Sequence, residues 1–163
     1  MYRQQFQKIT AALLPACLGV YGDRLKSVAL FGSVARGTMR PDSDIDVLLV
    51  VDGLPKGPRN RLLEFEGVEN ALDPLLAEAR RAGVHTDVCP IFKTPDELLQ
   101  GSLLFLDLTD QAVILHDRAG LLRTYLDDLT RRLRAMGARR VYKGGGYYWL
   151  LKPDFRPGDH IEL

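Results

Sequence analysis

The stretch from Leu30 to Asp52 leaves few folds open: Leu-Phe-Gly-Ser-Val-Ala-Arg-Gly-Thr-Met-Arg-Pro-Asp-Ser-Asp-Ile-Asp-Val-Leu-Leu-Val-Val-Asp. The apolar run before it, Val28 to Phe31, is too short and too β-branched for a helix of its own. After the loop, Ile45 to Val51 is a nearly continuous apolar run, the pattern of a buried strand. The segment therefore reads as strand end, Gly-Ser turn, short helix, loop and second strand. Asp44 and Asp46 stand two apart at the start of that second strand, so their carboxylates share one face.

Two carboxylates held side by side repel, and each disfavours ionisation of the other. A divalent cation relieves this, and hard oxygen ligands suit Mg2+. A cation so held can align a nucleotide's phosphates and activate an attacking oxygen. Gly32-Ser33 supplies the other half. Glycine lets a phosphate approach the backbone without a clash, and the residues after it open a helix whose free N–H groups favour an anion. Ser33 adds a hydroxyl, and Arg36 lies one turn on, within reach of the same phosphates or of a carboxylate. Either half alone is ordinary turn or helix-start chemistry. Both at this spacing, between two strands, make the case.

Gly32, Ser33, Ala35, Arg36 and Gly37, a short loop, then Ser43, Asp44 and Asp46 resemble the signature of the polymerase-β-like nucleotidyltransferases. The match is best to their minimal, stand-alone members, which act as antitoxins to HEPN-type toxins, and no motif position departs. The resemblance implies Mg2+-dependent transfer of a nucleoside monophosphate from an NTP to an acceptor, with release of pyrophosphate. By it Asp44 and Asp46 ligate the metal, with two ions expected. Gly32 and Ser33 hold the β- and γ-phosphates, and Arg36 neutralises charge. A third carboxylate on a neighbouring strand completes the metal site and acts on the nucleophile. Asp87, in the apolar stretch Val84 to Phe92, matches by order of elements. An acid inside an apolar strand needs a partner, a metal or solvent, and Pro90 marks an edge strand that would offer solvent.

The rest of the chain sets bounds. Its 163 residues suffice for one domain with a real core, and a formal net charge of +1 argues neither for nor against nucleic acid. Cys17 and Cys89 lie in apolar contexts and read as reduced core residues. The three histidines are dispersed and form no zinc site. An N-terminal helix from about Arg3 to Tyr21 buries Phe6, Ile9, Leu13, Ala16 and Cys17, with Pro15 expected to kink it or end it early. The same stretch loosely mimics an export signal, but its front end is only weakly basic and its apolar run short. Export would also remove the motif from its nucleotide supply, so a cytoplasmic location is expected, with no membrane span.

Further on, Leu62, Phe65, Val68, Leu72, Leu75, Leu76 and Ala79 mark a helical face that Pro74 should bend or divide. Val84 to Phe92 is a third strand. Thr94-Pro95-Asp96-Glu97 is a helix start, with a break expected at Gly101. Ala112 to Leu115 is a short strand, and Leu121 to Met136 a strongly amphipathic helix. Its end and the following residues are basic: Arg131, Arg132, Arg134, Arg139, Arg140 and Lys143. They suit RNA, a partner's acidic face or a triphosphate as well as they suit a helix C-terminus. Gly144-Gly145-Gly146 and the aromatics Tyr147-Tyr148-Trp149 follow, a flexible or closely approached backbone beside base-stacking or core-packing rings.

The expected fold is α/β: a small mixed sheet with flanking helices. Residues 1–110 form the nucleotidyltransferase core, and 111–163 a C-terminal helical extension and tail packed on the same domain. The expected function is transfer of AMP from ATP, or of another nucleotide, to an acceptor hydroxyl. The resemblance to minimal members points to a HEPN-type toxin protein as acceptor, neutralised by AMP on a tyrosine. RNA and small molecules such as aminoglycosides are alternative acceptors, and a non-catalytic nucleotide-binding antitoxin or interaction module is the alternative of a different class.

Overall fold

The structure is a computed structural model and describes residues 1–161. Helix α1 (Tyr2–Tyr21) leads through a short 3-10 turn into β1 (Leu25–Phe31), α2 (Gly32–Arg36) and β2 (Ile45–Val51). Helix α3 (Pro58–Arg81), β3 (Val88–Lys93), α4 (Pro95–Gln100), α5 (Phe105–Gln111), β4 (Val113–Asp117) and α6 (Leu121–Ala135) follow, then β5 (Arg139–Lys143) and β6 (Gly146–Leu150). The central sheet has the order β3-β2-β1-β4, antiparallel except for the parallel pair β2 and β3. Strands β5 and β6 form a separate hairpin.

The sheet is covered on both faces, which explains the continuous apolar run of β2. Ile45, Val47, Leu49 and Val51 join Phe6, Ile9 and Leu13 of α1 and Phe65, Val68 and Leu72 of α3 in one core cluster. Leu48 and Val50 face the other way, onto Phe105 and Leu108 of α5 and Leu122, Leu126 and Leu129 of α6. Asp46 belongs to this second face by strand alternation. The part of the chain beyond residue 110 thus adds β4 at one sheet edge and α6 over the second face, and it carries a hairpin that the expected helical extension did not include.

Neither internal proline breaks its helix. Pro15 lies within α1 and Pro74 within α3, so neither the early end expected of the first nor the division expected of the second occurs. Both are exposed, as are Ala11 and Asn70, whose carbonyls lose their helical N–H partner. An exposed helix face leaves such carbonyls open to solvent, which reduces the usual cost of a mid-helix proline. The third strand is shorter than expected. Residues 84–87 are irregular, although Val84 and Thr86 are buried, and β3 begins at Val88. As Pro90 foretold, β3 is an edge strand.

Helix α4 opens with a capping box: Thr94 Oγ1 accepts from the Glu97 N–H and Glu97 Oε2 accepts from the Thr94 N–H at 3.0 Å. Glu97 also receives both arms of Arg61, at 2.9 and 2.7 Å, which ties α3 to α4 across the edge strand. The Arg61 hydrogen bonds are the main reason that the Glu97 carboxyl falls from the ordinary 4.5 to about 2. Because the folded value lies below the unfolded one, this stabilisation is complete above about pH 4.5 and is lost as pH falls toward 2. Glu97 is about a third exposed, so after solvent screening the contribution is about 1–2 kcal/mol. Glu97→Gln should therefore lower the thermal midpoint at neutral pH by roughly 3–6 °C. The gap to the native chain should close as pH is lowered from 5 to 2 in a series of melts, and a gap that stays constant would refute the assignment.

Candidate active site

Strand pairing assembles the site. In the antiparallel ladder Phe31 lies opposite Asp46, so the Gly32-Ser33 turn that follows β1 is delivered to the Asp46 carboxylate. Gly32 has φ +71°, a left-handed conformation that favours glycine, and a Cβ there would collide with Asp46 Oδ2. The turn thus needs glycine twice over, for its backbone angle and for the space that the carboxylate fills. Helix α2 is closed at Gly37, with φ +72°, where the N–H donates to the Val34 carbonyl and the next N–H, of Thr38, donates to Ser33 O at 2.9 Å.

The loop to β2 is anchored rather than loose. Met39 is buried in the first core cluster and the Tyr2 hydroxyl donates to its carbonyl. Ser43 closes the turn: its Oγ accepts from the Arg40 N–H at 2.8 Å and its own N–H donates to the Arg40 carbonyl at 3.0 Å. That turn sets the approach of the chain to Asp44, which is exposed and lies one residue before β2, not within the strand as expected.

Asp87 also lies outside a strand. It is exposed and immediately precedes β3, so the sequence argument from an acid buried in an apolar strand does not hold. The backbone nevertheless joins it to the pair. The Asp87 N–H donates to Asp44 Oδ1 at 3.2 Å, and the Ile45 N–H donates to the Asp87 carbonyl at 2.9 Å. Gly32, Ser33, Arg36, Asp44 and Asp46 thus gather at one end of the β1–β2 ladder, and Asp87 joins them through its backbone while also bordering a cleft with Asn70, Asp73 and Arg80 of α3.

Burial, and next the charge of Asp44, raise the Asp46 carboxyl above its ordinary value, while Arg36 draws it back. Proximity of like charges in a partly desolvated place is the condition that a cation relieves. The donors are all carboxylate oxygens, the set that suits Mg2+. Among the described residues no group of three or more His, Cys, Asp or Glu converges to hold a metal by itself. The residues present fit a cation shared between two carboxylates and the oxygens of a bound phosphate.

Some neighbours escaped the sequence reading. Cys89 stands opposite Asp46 in the parallel ladder. Burial, and then the charges of Asp44 and Asp46, push its thiol up, so it stays a neutral neighbour of the acids. Gln111 of α5 accepts from Arg36 Nη1 at 3.3 Å. No local motif marks either residue; only strand register and helix packing bring them here. The basic stretch, by contrast, divides. Arg131 and Arg132 pair with Asp128, and Arg140 pairs with Asp110 while stacking on Tyr147 and Trp149, so these side chains form no single free patch. Among the described residues no helix is long and apolar enough to cross a membrane.

Comparison with known proteins agrees with the geometry. A family model for the nucleotidyltransferase domain matches residues 20–105, which span β1, the turn, the three acids and β3. "Putative protein adenylyltransferase MJ1305" from Methanocaldococcus jannaschii is 30% identical over 131 residues, covering 78% of this chain and 82% of that protein. Among solved structures, a toxin–antitoxin crystal structure with AMP-PNP is 18% identical, covers 83% of this chain and 91% of its own, and overlays with a TM-score of 0.46. A mutant of the toxin–antitoxin pair MntA-HpeT is likewise 18% identical, with coverage of 82% and 90% and a TM-score of 0.48. Overlays this loose say nothing of substrate or partner. With the motif complete and the matched segment containing the glycine turn and the three acids, the chain belongs to the nucleotidyltransferase domain family and is a nucleotidyltransferase.

Proposed function

We propose that the protein transfers AMP from ATP to a hydroxyl of a partner protein, releasing pyrophosphate, and that its partner is a HEPN-type toxin which the transfer neutralises. The observation that carries the reading is the placement of the Gly32-Ser33 turn directly against Asp46, with Asp44 beside it. The name of the 30%-identical relative, a protein adenylyltransferase, supports AMP and a protein acceptor. The completeness of the minimal-type motif supports the antitoxin role.

The residues divide the work. Gly32 leaves room for a phosphate to approach the turn, and Ser33 offers a hydroxyl to it. Arg36 is exposed at the end of α2 and steadied by Gln111, and it adds positive charge on the phosphate side. Asp44 and Asp46, with Asp87 next to Asp44, would hold Mg2+, which when bound neutralises phosphate charge and favours attack at phosphorus. Asp87, whose N–H bonds Asp44, is the carboxylate we assign to accept the proton of the incoming hydroxyl. Both carboxylates of the pair must be ionised for this, and burial first, then the charge of Asp44, opposes it at Asp46.

Replacing Asp44 and Asp46 together by alanine should lower transfer at least about 1,000-fold with the fold intact. ATP labelled at the α-phosphate, Mg2+ and lysate of the source organism give the assay. Label on a protein band, lost in the double variant, is expected; label on RNA, or full activity of the variant, would overturn the assignment. Gly32→Ala should cost about 100-fold in transfer, since its methyl displaces Asp46, and about 1–2 kcal/mol for the left-handed backbone. Asp44→Asn should melt at or above the native temperature without metal, because the repulsion on Asp46 is gone. It should also lose the stabilisation by Mg2+ and ATP, about 2.7 kcal/mol at a hundred times Kd. Equal ligand-induced shifts in both proteins would count against the metal assignment.

A further inference from the structure

Helix α5 holds Arg36 of the site and Tyr147 of the hairpin through residues one turn apart. Gln111 accepts from Arg36, and Asp107, four residues earlier on the same helix face, accepts from the Tyr147 hydroxyl at 2.6 Å. Burial and then the Asp107 hydrogen bond hold the Tyr147 phenol up, and the Arg36 charge, which also acts on the Asp46 carboxyl, draws it back. The contact is built, not incidental. Trp149 Nε1 donates to the same Asp107 Oδ1 at 3.1 Å. Arg140 lies 5.1 Å from the Tyr147 ring centre and 5.2 Å from that of Trp149, and is itself paired with Asp110 of α5. The hairpin β5–β6 is thereby fastened to α5 with Tyr147 36% exposed. Among the described residues Tyr147 is the one tyrosine whose hydroxyl bonds a carboxylate.

We propose that Tyr147 is an acceptor within the chain itself, a site of self-adenylylation. The proposal rests on the AMP-transfer reading above. In the step, Tyr147 Oη forms a bond to the α-phosphorus of ATP. The bond from that phosphorus to the oxygen bridging to the β-phosphate breaks, and pyrophosphate leaves with the electron pair. The phenol proton passes to Asp107, which already accepts it as a hydrogen bond. The products are AMP esterified to Tyr147 and pyrophosphate, one per chain. The esterified oxygen can no longer donate to Asp107, so modification releases one of the ties that fasten the hairpin beside Arg36.

The test uses the full-length chain alone, with ATP labelled at the α-phosphate and Mg2+, followed by intact mass and peptide mapping. One AMP per chain is expected, mapped to Tyr147, at a rate independent of protein concentration because the transfer is internal. Tyr147→Phe should lose at least 10-fold of the label and Tyr148→Phe should keep it. Asp107→Asn should slow labelling at least 10-fold while Tyr147 remains in place. Mapping on the native chain answers the question even where a variant folds poorly. AMP on another residue, or undiminished label in Tyr147→Phe, overturns the proposal. Label on a lysate protein but none on this chain overturns it while leaving the AMP-transfer function standing. Label on no acceptor at all removes both.

Discussion

The pairing of β1 with β2 is the constraint on which the rest depends. Phe31 opposite Asp46 puts the glycine turn against the carboxylate, and strand alternation puts Asp46 on the face away from α1 and α3. Slipping the ladder by one residue would move the acid to the other face. It would then enter a cluster in which Ile45, Val47 and Leu49 are each fully buried, at a cost of several kcal/mol for an unpaired carboxylate. The hydrophobic register and the functional register are thus one and the same: the residues that make the core also aim the acid at the turn.

Gly32 shows how tightly the two are joined. Its conformation and its lack of a side chain are both required, the second because Asp46 occupies the space a Cβ would take. Asp46 in turn lies partly desolvated beside Asp44, an arrangement that a purely structural design would avoid. Stability is supplied elsewhere. The Arg61–Glu97 pair with its capping box braces the edge strand. Asp117 accepts from Ser27 and from the N–H groups of Leu122 and Arg123, fixing the start of α6 to β1.

What could be read from the sequence was what local chemistry decides. The strand, turn and short helix around Gly32 follow from a contiguous motif, and the helix start at Thr94 from its capping residues. The two internal prolines do not end or divide their helices, because their effect depends on which helix face they occupy, and both are exposed. Asp87 precedes its strand and is exposed, and a backbone bond that no spacing in the chain encodes links it to Asp44. Gln111 and Cys89 reach the site through helix packing and a parallel crossover, contacts that no spacing in the chain encodes.

The hairpin marks a third degree of legibility. Val141-Tyr142-Lys143 and Tyr147-Tyr148-Trp149 flanking a glycine run carry the composition of two paired strands with a glycine turn. Read as a loose aromatic tail, the run says nothing about the site; read as a hairpin, it still does not say where it docks. The docking is decided by α5, where Asp107 and Asp110 capture Tyr147, Trp149 and Arg140. The same short helix holds Arg36 through Gln111. A segment beyond the matched family region is therefore coupled to Arg36 of the motif through one turn of helix, so the nucleotidyltransferase core cannot be regarded apart from the extension packed upon it.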